Sequence, residues 1–552
     1  MPFLLLFLAF AVLAPAQTLP QILNDELQRN FTILKQKADP APYYMAYAVT
    51  EEETEIISAS LGVLQSKGKS HHRTLDITIR VGSPQLDNYH LIRGERPHFT
   101  PGVAIALDDV PIALKQRLWL ETDRTYRLAA KRLIDIKTNE QVKVAAKDNS
   151  ADFSSEEPSV HEENVPRLKY SEEDWSNRLR KWSAELIKYQ GVLNSDISFV
   201  VRREVKYLVT TEGTRLQDGR TFASITISAE GKAVDGMDLQ ASQYFQAQTL
   251  EGLPKADAIE KAVNEAGSDL TKLLAAPVVE PYVGPAILSG SAAGVFFHEI
   301  FGHRIEGHRQ KDEGEGQTFT ASVGSSVLPP FLSVVFDPTR ARIGSVELNG
   351  YYTYDDEGIK ARPVTLVEDG ILKTFLMSRS PIQGFDHSNG HGRRQAGAEV
   401  VSRQSNLIVE SKKQVPAAQL RAMLIEEVKK SNKPYGLYFQ QVSSGFTLTQ
   451  RRGLQAFSVV PLLVYRVYAD GRPDELVRGA DIVGTPLASF AKIEATSDKA
   501  EVFNGYCGAE SGSVPVSAVS PALLVSEIEI QKKDQSHDRL PLLPRPMETG
   551  NE

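Results

Sequence analysis

The chain has 552 residues, 41% of them hydrophobic, and a formal net charge of −8 at pH 7. That length exceeds what one core can organise and implies about two to four domains. The mildly acidic balance offers no basic field for nucleic acid or anionic lipid, and a single cysteine, Cys507, excludes an internal disulfide.

Residues 1–16 are uncharged and apolar and end in Ala14-Pro15-Ala16, a small-x-small pattern with polar sequence after it. This reads as a secretory signal cleaved before Gln17, so the expected location is secreted or periplasmic. This run is itself shorter than the roughly 20 residues of a spanning helix and no other candidate is present in the sequence, so no membrane span is expected after signal removal.

Residues 17–145 read as an N-terminal α+β domain. Ile22, Leu23, Leu27, Phe31 and Leu34 recur at helical spacing over residues 20–37. Strands follow at 43–50, 54–65 and 75–81, the last alternating apolar and polar residues. Lys67 to His72 reads as a solvated turn, which makes His71 and His72 surface residues. Thr125 to Lys137 is helix-like. Residues 146–170 are acidic and Ser- and Pro-containing, as in an exposed linker or insertion.

A central α+β domain is expected over 171–280. Ser171 and Asp174 have capping-box spacing, and Trp175, Leu179, Trp182 and Leu186 form one apolar stripe, which is core rather than a ligand box. Strands at 197–249 and a helix from Lys255 to Ala275 follow, and a Pro-rich joint at 277–285 separates this half from a β-rich domain over 285–530.

The β-rich domain opens on Phe297-His298-Glu299-Ile300-Phe301-Gly302-His303. Two neutral imidazoles can hold a divalent metal such as zinc, and a carboxylate on the same turn can take a proton from the water that the metal activates. The histidines are five apart, which on a regular α-helix rotates the second ring roughly 140° away from the first. A π-type turn eased by Gly302 would restore a common focus. His308, five residues further on, offers a third ligand locally, while the bland alternative is that these histidines pack or cap a helix end.

Beyond this helix, hairpins are expected around Glu368-Asp369-Gly370 and Asp470-Gly471, a helix near Ala417 to Ser431, and a final strand from Ala522 to Ile530. The polar, Pro-rich tail, 531–552, reads as disordered. The lone thiol of Cys507 is buried, reactive, intermolecular or metal-bound.

Taken together, His298-Glu299 with His303 and Glu306-Gly307, Asp355-Asp356-Glu357-Gly358, Asp369-Gly370-Ile371-Leu372, Asn389-Gly390-His391-Gly392-Arg393-Arg394, and Cys507-Gly508 make the chain resemble the TldD/PmbA family of metallopeptidases. The match is strongest over roughly 285–530. The resemblance implies one zinc ion per chain held by His298, His303 and Cys507, with Glu299 as general base. Gly505 and Gly508 would let the Cys507 backbone approach the metal. His308 stands where the family carries an acidic residue, which leaves it as the runner-up third ligand or a partner of the true ligands. His391 or Arg393, in a glycine-rich loop, would stabilise charge on the tetrahedral intermediate.

The expected fold class is therefore α+β and multidomain, with an α/β N-terminal half and a β-rich C-terminal metallopeptidase domain. The expected substrates are peptides or unfolded segments, and the resemblance implies a homodimer or a heterodimer with a related subunit. The alternative is a non-catalytic subunit or peptide-binding protein of the same family, against which the intact His298, Glu299 and His303 argue. A DNA-topology modulator conflicts with the acidic balance and the export signal.

Overall fold

The computed structural model describes residues 17–92, 96–140, 148–451, 457–484 and 486–533. The expected signal, residues 1–16, and the tail beyond 533 lie outside the described residues. The architecture is mixed α+β, with two extended sheets and a β-rich C-terminal half.

The N-terminal sheet starts from helix α1 (Leu19–Lys37), whose buried face carries Ile22, Leu23 and Leu27, and strand β1 (Pro42–Ser60). Strand β2 (Val63–Ser83) returns along β1 after a tight turn in which Leu61 and Gly62 have φ of 46° and 86°. The expected turn at Lys67 to His72 is therefore strand. His71 and His72 stay exposed, and Nε2 of each faces Glu51 and Glu52 at 2.9 and 3.2 Å. Polar residues on both faces hid this strand, because this part of the ribbon stands largely in solvent.

Helix α2 (Pro111–Glu140), strand β3 (Val160–Glu162), helix α3 (Glu172–Ala184) and strands β4 (Asn194–Thr210), β5 (Arg215–Lys232) and β6 (Asp238–Ala247) follow, with helix α4 (Ala256–Ala275) closing this half. The Trp175 to Leu186 stripe is core, and the Trp175 ring stacks on Phe199 with centroids 3.7 Å apart.

The expectation of separate domains over 17–145 and 171–280 needs correction, because β1 pairs with β4 continuously from Ala46↔Thr210 to Ala59↔Ile197. One eight-stranded sheet spans both segments. The intervening stretch is no free linker either: β3 pairs in parallel with β5, and Phe153 and Val165 are buried. Those few apolar side chains, scattered among acidic ones, are enough to dock it.

The C-terminal half is built around a closed ring of five strands. These are β7 (Tyr282–Leu288), β11 (Gly436–Thr447), β12 (Phe457–Val467), β13 (Ala480–Gly484) and β15 (Gly512–Lys532). Strands β8 (Leu332–Phe336), β9 (Val364–Glu368) and β10 (Asn406–Ser411) extend the sheet beyond β15, and β14 (Ile493–Ala509) forms a long hairpin with it. The last strand thus runs from Gly512 to Lys532, and Gln531 and Lys532, expected in the tail, are part of it. Helix α6 (Ala417–Lys430) covers this sheet's outer side around Leu420, Leu424 and Val428. Both expected hairpins are present, the first turning at Asp369 and Gly370 with φ of 50° and 81°.

Helix α5 (Gly290–Ile300) packs against β11, β12, β14 and β15, and every residue in it except Ser291 is buried. Its approach to β15 is so close that a Cβ on Gly290 would lie 2.5 Å from the Ser520 carbonyl oxygen. Only a glycine there leaves room for the helix to seat on the strand.

Candidate metal centre

Ser289 caps α5 by accepting a hydrogen bond from the Ala292 N–H at 3.2 Å. The helix stops at Ile300, and Gly302–Ile305 continues as a 3-10 turn in which the Arg304 N–H donates to the Phe301 carbonyl at 2.9 Å. No π-type turn is formed. The tighter turn performs the expected task, because His298 ends one segment and His303 opens the next, and their ring centroids lie 5.1 Å apart. Gly302 is required for clearance: a Cβ there would meet the Gln404 amide at 1.9 Å. Arg304 folds back over the helix end, donating to the carbonyls of Glu299 and Ile300 at 3.0 and 3.2 Å.

Cys507 arrives from β14, more than 200 residues along the chain, with its Sγ 3.4 Å from His303 Nε2. The ligand atoms of His298, His303 and Cys507 all lie within 4.8 Å of one another, and all three residues are buried. Tetrahedral zinc, with bonds of about 2.0 to 2.3 Å, places its ligands roughly 3.3 to 3.8 Å apart, so this donor set fits the ion after small side-chain shifts. Gly508 borders open space, so close approach there is not what the glycine provides.

His308 does not join the set. Its Nε2 contacts the carboxylate of Glu510, which Arg309 also holds at 2.8 Å. His391 and Arg393 are likewise elsewhere. His391 is fully buried, bonds Ser405 Oγ at 3.1 Å through Nε2, and is pushed down to about 3 by burial, which the nearby Arg393 reinforces. Arg393 donates to the Gln404 carbonyl at 2.5 Å and lies over Tyr352. Neither lines the cleft at the metal set. The glycine-rich loop instead fixes the junction of the two halves: Gly392 N–H donates to Asp355, and Asp356 pairs with Lys206 at 2.6 Å.

Glu299 is 6% exposed and lies 3.9 Å from His303 Nε2, its side chain packed against Gly445 of β11. Burial pushes its carboxyl up, against the opposing pull of His298 and His303. Burial alone would raise the Cys507 thiol as well, yet His303, His298 and Arg403 outweigh it and hold the thiol well below its ordinary value. His303 is correspondingly raised by Cys507 and Glu306 against its burial. A metal entering here would displace the proton held on His303.

A surrounding layer orients these groups, and residue type alone did not single it out. Arg403 donates to the Cys507 carbonyl at 2.6 Å, and Gln404 reaches the His298 carbonyl at 3.3 Å. Glu306 faces His303 Nδ1 at 3.6 Å and accepts from Arg309 Nε at 2.8 Å. The one available signal was Glu306's position three residues after His303.

Glu306 is fully buried; burial would raise its carboxyl, but Arg309 and His303 together hold it at about 2, against an ordinary 4.5. A depressed carboxyl stabilises the fold fully above its unfolded-state value, and that contribution is lost as the pH falls through the folded one. Glu306→Gln is expected to destabilise the protein by roughly 3 to 5 kcal/mol near neutral pH, the range for breaking a buried ion pair. In urea melts from about pH 5 down to about pH 2, the gap to wild type should shrink. A gap that does not change with pH would contradict this assignment.

The metal set forms part of the wall of a cleft of about 1390 Å³, bordered also by Gly445, Phe446 and Leu448 on one side and Tyr506 and Glu510 on the other. Phe446, Leu448 and Tyr506 are 56%, 50% and 43% exposed, so the cleft offers apolar surface to a ligand.

Residues 282–532 match the family model described as the PmbA/TldA metallopeptidase C-terminal domain. A metalloprotease TldD homolog of Haemophilus influenzae is 28% identical over 348 residues, 62% of this chain and 63% of the relative. A metalloprotease of Methanocaldococcus jannaschii is 30% identical over 234 residues, 42% of this chain and 47% of the relative. A zinc metalloprotease TldD homolog of Saccharolobus solfataricus is 26% identical over 253 residues, 45% of this chain and 51% of the relative. The chain thus spans less than two thirds of the length of each of these relatives. Among solved structures, TldE from Thermococcus kodakarensis superposes with a TM-score of 0.61 at 13% identity, covering 92% of this chain and all of that one, a likeness of fold alone.

Proposed function

We propose that this chain is a zinc-dependent peptidase of the TldD/PmbA type, in which His298, His303 and Cys507 hold the metal and Glu299 is the general base. The observation that carries the reading is the convergence of three buried donor atoms within 4.8 Å, with a buried carboxylate beside them, in the wall of an open cleft. The match of residues 282–532 and the printed names of the relatives support the same class.

The ion would supply Lewis acidity, lowering the pKa of a water and polarising a carbonyl. The chain's own groups divide the remaining work. Glu299, raised by burial, is tuned to take up a proton at its carboxylate and to pass it to the leaving amine. Glu306 keeps the His303 imidazole oriented, and Gln404 and Arg403 fix the backbone at His298 and Cys507. Phe446, Leu448 and Tyr506 offer apolar contacts to an extended substrate.

Short or unfolded peptides are the proposed substrates, because a compact protein must open locally before its backbone can enter a cleft. A second copy or a related subunit is the proposed partner, and sedimentation of the purified chain tests it. Zinc-loaded protein incubated with one small stable protein, in folded and in permanently unfolded form, is expected to cut the unfolded form much faster. Equal rates would overturn the restricted access, and failure to cut any peptide would overturn the peptidase reading.

A further inference from the structure

A groove of about 390 Å³ lies where the end of β5, the start of β6 and α4 face strands β11 and β12. Its floor follows from a gap in the ring. Strand β12 pairs with β13 through residues 457–459 and with Glu475–Val477 through residues 464–466, so residues 460–463 have no strand partner on that side among the described residues. Pro461, in the middle of the gap, has no N–H to offer one. Val460, Pro461 and Leu462 are left half-buried, and across the groove Leu239 is half-buried and Leu193 is 39% exposed. Apolar surface gathered in a groove, rather than scattered singly, marks a contact site.

The chain itself supplies the occupant. Lys533, the last described residue, lines the groove, and its N–H donates at 2.8 Å to the carbonyl of Gly479, which lines it too. The sequence continues from there for 19 residues, and its one run of consecutive apolar residues is Leu540-Pro541-Leu542-Leu543-Pro544, with Arg539 before it and Arg545 after it. Seven residues span up to about 25 Å, more than the width of a groove of this volume, so the run is long enough to lie in it. Charge matches as well. The groove's Lys232 pairs with Asp238 at 2.5 Å and its Arg478 with Asp235 at 3.0 Å. Glu230 on the rim is exposed, accepts from the Asn194 amide at 3.1 Å, and has no cation paired with it among the described residues. A flanking arginine would supply one. Fixed φ at the two prolines lowers the entropy lost on ordering such a segment, and the tether makes its capture intramolecular.

We propose that residues 540–544 dock in this groove of their own chain, with the leucines against Val460, Leu462 and Leu239 and a flanking arginine beside Glu230. The docked segment would touch β6 on one side and β12 on the other and so tie the N-terminal half to the ring. It would also sit beside the strand that carries one wall of the metal cleft, because Ser443 of β11 lines the groove and Gly445, two residues on, lines the cleft. The proposal is independent of the peptidase reading.

The test uses the full chain and the rate at which trypsin cuts the Arg539–Leu540 bond, followed by mass spectrometry. Cleavage in wild type is expected to be at least about 10-fold slower than in the double variant Leu542→Ser, Leu543→Ser, since proteolysis tracks the population of the released segment. Both changes lie beyond the described core, so the variant keeps its fold. Leu462→Glu, which puts a charge in the groove, is expected to speed cleavage as much. Equal rates in wild type and the double variant overturn the proposal. Protection that weakens on dilution would make a second copy the occupant and overturn docking within one chain. A photo-reactive benzoylphenylalanine in place of Leu543 locates the segment even if Leu462→Glu fails to fold: crosslinks are expected to Leu239 or to residues 460–462 of the same chain, and crosslinks confined to any other face overturn the groove as the site.

Discussion

Glu299→Gln is expected to bind zinc as wild type does and to turn over peptides about 10²-fold to 10⁴-fold more slowly, the range for removing a general acid-base group. The amide has nearly the same shape as the carboxyl, so it can occupy the space against Gly445 and leave the backbone contact from Arg304 intact. What it loses is the ability to take up a proton. Burial already raises the Glu299 carboxyl, a shift that brings a general base closer to working pH. Metal analysis together with steady-state kinetics on one preparation checks both halves. Wild-type turnover would reduce Glu299 to a packing residue, and lost metal would make it a ligand.

The second large effect is expected at Cys507. Cys507→Ala should weaken zinc binding by at least about 100-fold, more than the 10-fold to 100-fold usual for a group that merely supports a ligand, and His298→Ala and His303→Ala should do the same. The reason is the thiol's setting: it lies 3.4 Å from His303 and is held well below its ordinary value, so the thiolate that a metal needs is already favoured. His308→Ala is the control, since its ring contacts Glu510 outside the set. A competition titration against a zinc chelator reads all four variants. A full site in Cys507→Ala with an empty one in His308→Ala would replace this ligand set by three local histidines.

What could be read in the sequence was what lies close together along it. His298, Glu299 and His303 are within two turns, and their meeting follows from local chemistry alone, although the helix breaks into a 3-10 turn where a π-type turn was expected. Cys507 was reachable only because it is the sole cysteine and because of the family resemblance; its position beside His303 is set by the β14–β15 hairpin. Arg403, Gln404, Arg309 and Glu510 carry no such mark, and nothing in their types separates them from ordinary polar residues. His391 and Arg393 failed for the opposite reason. A basic, glycine-rich loop looks the same whether it stabilises charge in a site or is buried to lock two halves of a protein together.

The N-terminal half contained a legible clue that simple periodicity missed. Glu51, Glu52, Glu53 and Glu55 on β1 face Arg73, His72, His71 and Lys69 on β2 in register, so opposite charge replaces apolar alternation as the pairing signal. Division of that half into two domains was invisible as an error in the sequence, because the pairing of β1 with β4 joins segments about 150 residues apart.

The ring of strands against which α5 packs also sets a schedule for making the protein. Strand β7, at its start, pairs with β15, whose residues leave the ribosome roughly 250 residues later, about 10 to 50 s at ordinary rates of synthesis. Strands β11 and β12 reach the helix earlier, but until β14 and β15 are made its cover is incomplete and its two histidines wait without the Cys507 thiol. The set of His298, His303 and Cys507 is thus among the last parts of the chain to come together.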